Sequence, residues 1–166
     1  MKTTGDSLDL AFEVEFVENG EKQRASMASL IRRPTVVSIY MKNNTGSCDR
    51  QNESLVDGAE AIAAAGADVI ALSRDTCGSH LKYAEKKAIP YRLVSDREDR
   101  FAKAADAVVE KKMYGRTYEG PARAAFLLSP EGVILGCIPK VDAKNHAAEV
   151  LAMVKEAMGK KVMNDE

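Results

Sequence analysis

The chain contains no tryptophan, and aromatic residues make up only 5% of it. That is too little for the stacked aromatic platforms that read single-stranded nucleic acid. An excess of one charge is also missing, since 24 lysines and arginines face 25 aspartates and glutamates, for a net charge of −1. Neither nucleic acid nor an anionic membrane surface is therefore an expected partner. No apolar run approaches the ~18 residues of a membrane span. Met1-Lys2-Thr3-Thr4-Gly5-Asp6 lacks the apolar core of a signal peptide, so a cytoplasmic protein is expected. The three cysteines, Cys48, Cys77 and Cys137, are odd in number and widely spaced, which fits neither a disulfide framework nor a zinc knuckle. His80 and His146 have no partner at metal-ligand spacing and read as solvated or capping residues; no metal is expected.

What is present is ordinary for a globular protein: 45% hydrophobic and 30% charged residues over 166 positions. A single domain over 1–166 is expected, with a core from about 7 to 158 and a short C-terminal tail. Phe12, Val14 and Phe16 alternate with Glu13 and Glu15, the period of a half-buried strand, and Asn19-Gly20 suits the positive φ angles of a tight hairpin turn. Met27 to Ile31 reads as a short helix stopped before Pro34. The β-branched run Thr35–Tyr40 reads as a central strand buried on both faces. A polar loop and a helix from about Cys48 to Ala65 follow, then a buried strand Asp68–Ser73 and a helix from Ser79 to about Ala88. Tyr91–Val94 and Glu98–Ala105 suggest a further strand and helix.

Ala124–Leu128 and Val133–Ile138 flank Ser129-Pro130-Glu131-Gly132, a hairpin turn by its proline and glycine positions. Asp142 then caps a last helix to about Met158, with Gly159 behind it. The methionines Met153, Met158 and Met163 read as core or tail filling. A βαβ crossover followed by an antiparallel hairpin and a closing helix is a thioredoxin-like α/β arrangement, a central mixed sheet flanked by helices. The leading hairpin is an N-terminal addition to it.

Cys48 stands at the head of the helix that follows the central strand. Unpaired N–H groups and the positive end of the helix dipole favour thiolate over thiol there. The carboxyl ends of parallel strands are also where ligands of open α/β sheets collect. Small polar neighbours, Thr45, Gly46 and Ser47, let backbone donors approach a bound oxygen atom.

On these residues the chain resembles a known family. Asn43-Asn44-Thr45-Gly46-Ser47-Cys48 is similar to the peroxidatic loop of peroxiredoxins, Pro-x-x-x-Thr-x-x-Cys. The phrases Leu72–Asp75, Leu93–Asp96, Glu110–Tyr118 and Ala125–Gly132 resemble its Q-type branch, the bacterioferritin comigratory proteins, and the pattern extends from about Ser7 to Val154. The resemblance implies a thiol-dependent peroxidase that reduces hydrogen peroxide and small organic hydroperoxides through a cysteine sulfenic acid, without a cofactor. Cys48 would be the peroxidatic cysteine, Thr45 the threonine that orients peroxide and thiolate, and Arg123 the cation beside the sulfur. Electrons would come from a thioredoxin-like or other small-thiol reductant, to a monomer or homodimer.

Two departures stand out. Met41 occupies the family's proline position, and Glu53 occupies one resolving-cysteine position, so no disulfide forms within that helix. A proline at position 41 is expected to stiffen the loop and speed the reaction. A second resolving position lies nearer Ala84 than Cys77. Cys77 is a geometric candidate only, following a strand that should lie beside the central one; a Cys48–Cys77 disulfide is the expected product of stoichiometric peroxide, with Cys77 a bystander and direct reduction of the sulfenate by an external thiol as the alternative. Cys137 shares strand parity with Val133 and Leu135 and should pack inward. Lys111-Lys112 is too short a pair for an electrostatic footprint. An alternative to the enzyme is a slow or non-catalytic thiol sensor on a drifted peroxiredoxin fold, which the loss of proline at Met41 would suit.

Overall fold

The β-branched run forms β3 (Thr35–Ile39), in which every residue is buried, as a strand covered on both faces must be. The computed structural model describes residues 1–164, apart from the side chains of Met113 and residues 160–164. Around β3 a seven-stranded mixed sheet is assembled in the order β2-β1-β5-β4-β3-β8-β9. β3 pairs in parallel with β4 (Asp68–Ser73), and β4 in parallel with β5 (Arg92–Ser95). On its other side β3 pairs antiparallel with β8 (Ala125–Leu128), which pairs antiparallel with β9 (Ile134–Ile138).

The leading hairpin, β1 (Glu13–Glu18) and β2 (Glu21–Ser26), turns at Asn19 and Gly20, both with positive φ, and β1 extends the sheet beyond β5. The fold is the thioredoxin-like one, with an N-terminal hairpin added to the sheet. Met27 lies at the head of a single 3-10 turn, Ala28–Leu30, where a short helix is predicted.

Two apolar layers cover the sheet. Val37, Ile39, Ile70, Leu72 and Phe126 point to one face, packed with Phe101 and Ala105 and the N-terminal Leu8 and Leu10. Phe101 lies in α3 (Arg100–Ala104). Val36, Val69, Ala125 and Leu127 point to the other, against Leu55 and Ile62 of α1 (Gly46–Ala64) and Val150 and Val154 of α4 (His146–Asn164). The two long helices approach closely at Gly58, where a Cβ would stand 2.5 Å from the Cβ of Ala147. That small residue lets the start of α4 reach the sheet.

Three boundaries differ from expectation. α2 (Cys77–Lys87) begins earlier than Ser79, because Thr76 is its N-cap and accepts the Ser79 N–H. The last helix is entered through a 3-10 turn, Ala143–Asn145, and Gly159 does not stop it. Between α3 and β8 the chain makes an unpredicted hairpin, β6 (Val108–Met113) and β7 (Arg116–Pro121), a separate two-stranded sheet. Met153 and Met158 pack against the second layer. The reading of Met163 falls on a side chain outside the described residues.

Candidate active site

The segment between β3 and α1 is short, polar and tied down at several points. Asn44 takes a positive φ of 62° at its bend. Asn43 donates its N–H to Asp75 Oδ2 at 2.9 Å and its amide Nδ2 to Ser79 Oγ and His80 Nδ1, both at 3.1 Å. Tyr40 donates its hydroxyl to Asn43 Oδ1 at 2.5 Å. The loop is thereby clamped to the start of α2. His80 Nε2 faces the Val94 carbonyl at 3.1 Å. That oxygen can only accept, so Nε2 carries the proton and Nδ1 is left bare to receive Asn43.

Thr45 is the N-cap of α1: its carbonyl accepts the Asp49 N–H at 2.7 Å, and its hydroxyl donates to the Lys42 carbonyl at 2.8 Å. Cys48 lies in the first turn, 2% exposed, and its Sγ accepts the Met41 N–H at 3.4 Å. It belongs to a buried cluster with Tyr40, Ala71, Tyr83 and Leu93, against which Met41 and Ala84 pack. Arg123 stands just before β8, at the sheet edge where β3 ends, as the antiparallel pairing of those strands requires. Its guanidinium reaches the same helical turn, donating to Ser47 Oγ at 2.9 Å, the Ser47 carbonyl at 3.3 Å and Gln51 Oε1 at 2.8 Å. The fork is thus held by three acceptors of one turn, while its Nε is buried without a partner. Cys48, Thr45 and Arg123 are brought together; Cys77 is not part of this group.

Cys77 is buried at the start of α2, and the charges acting on it are Glu15 and Lys22 of the leading hairpin. Burial and then Glu15 push its thiol up, with Lys22 acting in the opposite sense. β1 lies three strands from β3, ~14 Å at the usual strand spacing. Cys137 is half-buried at the edge of the first layer, where Ile134 also points, whereas Leu135 packs into the second. The parity argument fails because the β8–β9 register shifts between Leu127 and Leu128, and such a bulge reverses the alternation beyond it.

Sequence reasoning missed two groups of residues. Lys111 extends from β6 to place its ammonium against Met41 Sδ. Burial, then Arg74 and Arg123, lower its pKa from the usual lysine value, while Cys48 and Asp99 act the other way. A lysine pair dismissed for its shortness therefore supplies one cation to the neighbourhood of Cys48. The signal for it was topological, and it required the unpredicted hairpin. The second group is the histidines, which are not solvated: both are fully buried, with burial the main cause of a lowered pKa in each.

That burial has a measurable consequence. Folded-state pKa values below the ordinary 6.5 mean that the unfolded chain binds more protons under pH 6.5. Stability is then fully present above that pH and falls as pH drops toward the folded values, by at most ~1.4 kcal/mol per pH unit for each histidine. Denaturant midpoints measured from pH 7.5 to 5.5 should decline, and the decline should be smaller in His80→Asn and His146→Gln. An equal slope in the variants would contradict this.

Residues 9–136 match the AhpC/TSA family. Among curated relatives, peroxiredoxin Bcp of Xanthomonas campestris is 35% identical over 120 residues, covering 72% of this chain and 75% of the relative. Peroxiredoxin Bcp of Bacillus subtilis is 34% identical over 121 residues, covering 73% and 77%. Among solved structures, Xanthomonas campestris peroxiredoxin Q superposes with a TM-score of 0.80 at 28% identity, over 90% of this chain and 94% of that one. A structure of the bacterioferritin comigratory protein from the same organism, described in terms of alkyl peroxide reduction, superposes with a TM-score of 0.81 at 27% identity, over 91% and 98%. With a thiol at a helix head, a cation forked onto the same turn, and family similarity over most of its length, the chain belongs to the AhpC/TSA family as a thiol peroxidase of the peroxiredoxin Bcp group.

Proposed function

We propose that Cys48 is the peroxidatic cysteine, that Arg123 supports its thiolate and the leaving oxygen, and that Thr45 orients the peroxide. The observation that carries this reading is the shared turn: Cys48 Sγ accepts the Met41 N–H at 3.4 Å while Arg123 is forked onto Ser47 and Gln51. The Cys48 thiolate attacks the terminal oxygen of a hydroperoxide. The S–O bond forms as the O–O bond breaks, and the departing alkoxide or hydroxide takes a proton and leaves as alcohol or water. Arg123 supplies fixed positive charge where negative charge develops. The Thr45 hydroxyl, its proton committed to Lys42, has lone pairs left to accept from the substrate. The small polar loop suits hydrogen peroxide and small organic hydroperoxides.

For recycling, the reading supported best is attack of an external thiol on the Cys48 sulfenic acid, releasing water and leaving a mixed disulfide that a second thiol equivalent reduces. A thioredoxin-like protein or a small thiol supplies both. A Cys48–Cys77 disulfide needs Cα atoms within about 7 Å, and Cys77 heads α2, which packs against β5, β1 and β2. Both first turns would have to unwind, each hydrogen bond costing about 1 kcal/mol net. Non-reducing peptide mapping after one equivalent of peroxide tests this. Cys77 should remain alkylatable, and a Cys48–Cys77 peptide would overturn the external route. We further take the chain to act as one unit, a monomer or homodimer in the cytoplasm. Among the described residues no helix is long and apolar enough to cross a membrane.

The structure changes what is expected of position 41. A proline there was expected to speed the reaction, but the Met41 N–H donates to Cys48 Sγ, and proline has no N–H. Met41→Pro should therefore slow sulfenate formation about two- to tenfold, the worth of one modest hydrogen bond. Met41→Leu keeps the N–H and should stay near the parent rate. Single-turnover kinetics with hydrogen peroxide checks both, and a faster Met41→Pro protein would refute the hydrogen-bond argument.

A further inference from the structure

The fork of Arg123 on Gln51 is one end of a longer buried chain. Gln51 donates its Nε2 to Ser38 Oγ at 2.9 Å and to the Ile39 carbonyl at 3.2 Å. Ser38 Oγ lies 2.7 Å from His146 Nε2, and His146 Nδ1 lies 2.7 Å from Glu149 Oε1. Ser38, Gln51 and His146 are each fully buried, out of contact with bulk solvent. Four bonds thus run from β8's leading arginine, across α1 and β3, to the first turn of α4.

The proton directions along this chain follow from its fixed members. The Ile39 carbonyl can only accept, so the amide nitrogen of Gln51 faces it and Oε1 faces Arg123. Glu149 Oε1 also takes the Asp142 N–H at 3.0 Å, which marks it as an acceptor, so His146 carries its proton on Nδ1. The bare Nε2 then receives the Ser38 hydroxyl, which leaves the Ser38 oxygen free to receive Gln51. A second proton on His146 would point Nε2–H at Ser38 and leave the serine hydroxyl without an acceptor. The charged groups acting on His146 are Glu149 from its own helix, Asp142 from the turn before it, and Arg123 from the sheet edge. Arg123 opposes that second proton, and the two carboxylates favour it.

We propose that His146 is a positioning residue for the peroxide reaction: neutral, with its proton on Nδ1, it fixes the Ser38 hydroxyl as an acceptor for Gln51, which together with the Ile39 carbonyl holds the Gln51 amide oxygen toward Arg123. The proposal rests on the reading of Cys48 and Arg123 as the reaction site. His146 touches neither sulfur nor peroxide, and its effect must pass through Arg123.

A double-mutant cycle isolates that dependence. The measured quantities are the single-turnover rate of the reduced protein with hydrogen peroxide and the pH midpoint of Cys48 alkylation. His146→Leu should lower the rate about three- to tenfold, the worth of one oriented hydrogen bond, and move the alkylation midpoint upward. His146→Gln, whose amide oxygen can take the Ser38 proton, should recover most of the rate. In an Arg123→Met background His146→Leu should cost nothing further. Ser38→Ala breaks the relay at its middle and carries the same cycle if His146→Leu does not fold. A full His146→Leu or Ser38→Ala penalty persisting in the Arg123→Met background would overturn the relay, as would a parent-like single variant. An Arg123→Met protein with parent kinetics would instead overturn the site reading beneath it.

Discussion

Cys48→Ser should abolish peroxide consumption, whereas Cys137→Ser should leave it nearly intact. Serine keeps the shape of Cys48 in its pocket and the Met41 N–H as a neighbour, yet its hydroxyl does not ionise near neutral pH and does not reduce an O–O bond. The loss should therefore be complete to the uncatalysed background, with the fold preserved. Cys137 lies half-buried at the margin of the first apolar layer, and burial pushes its thiol up. A thiol whose pKa is pushed up stays protonated and is a poor nucleophile, so its removal should take away little besides packing. Peroxide consumption with excess reductant, beside an unfolding curve for each variant, is the check. Equal loss in two folded variants would contradict the assignment.

Arg123→Met should produce the second largest effect. The guanidinium bonds three acceptors on the turn that carries Cys48, and on the proposed reading its fixed charge supports the negative charge of the reaction there. Hydrogen bonds to charged groups are worth about 1.5–3 kcal/mol, so sulfenate formation should slow roughly 10- to 100-fold. The pH midpoint of Cys48 alkylation should rise with it. Methionine retains most of the stem's packing, and the domain should remain folded. Arg123→Lys should recover only part of the rate, because a single ammonium cannot span Ser47 and Gln51 as the planar fork does. An unchanged alkylation profile in Arg123→Met would mean that the guanidinium does not act on the sulfur.

Local signals in the sequence were sufficient wherever a segment's own chemistry decided its structure. Asp68–Ser73 is read to the residue because a continuous apolar run between a glycine and a polar loop admits one buried strand. Asn19-Gly20 declares its turn through the positive φ angles those residues tolerate. Cys48 lies where its place in the sequence predicts, after a buried strand and at a helix head. Other features depend on partners remote in sequence. The β6 strand carries Glu110, Lys111 and Lys112 in succession, which mimics a solvated loop, and its turn at Tyr114 and Gly115 shows only as backbone angle. The bulge that turns Cys137 away from Leu135 leaves no mark on the alternation of side chains. His146 looks like a capping residue until Gly58 brings α4 against α1 and Ser38 becomes its neighbour.

Mass spectrometry of the reduced protein after one equivalent of hydrogen peroxide, with the three cysteines mapped separately, decides which sulfur meets the peroxide. One added oxygen is expected, trapped as a sulfenic acid on Cys48, with Cys77 and Cys137 still open to alkylation. Oxygen on Cys77 or Cys137 while Cys48 remains a free thiol would contradict it.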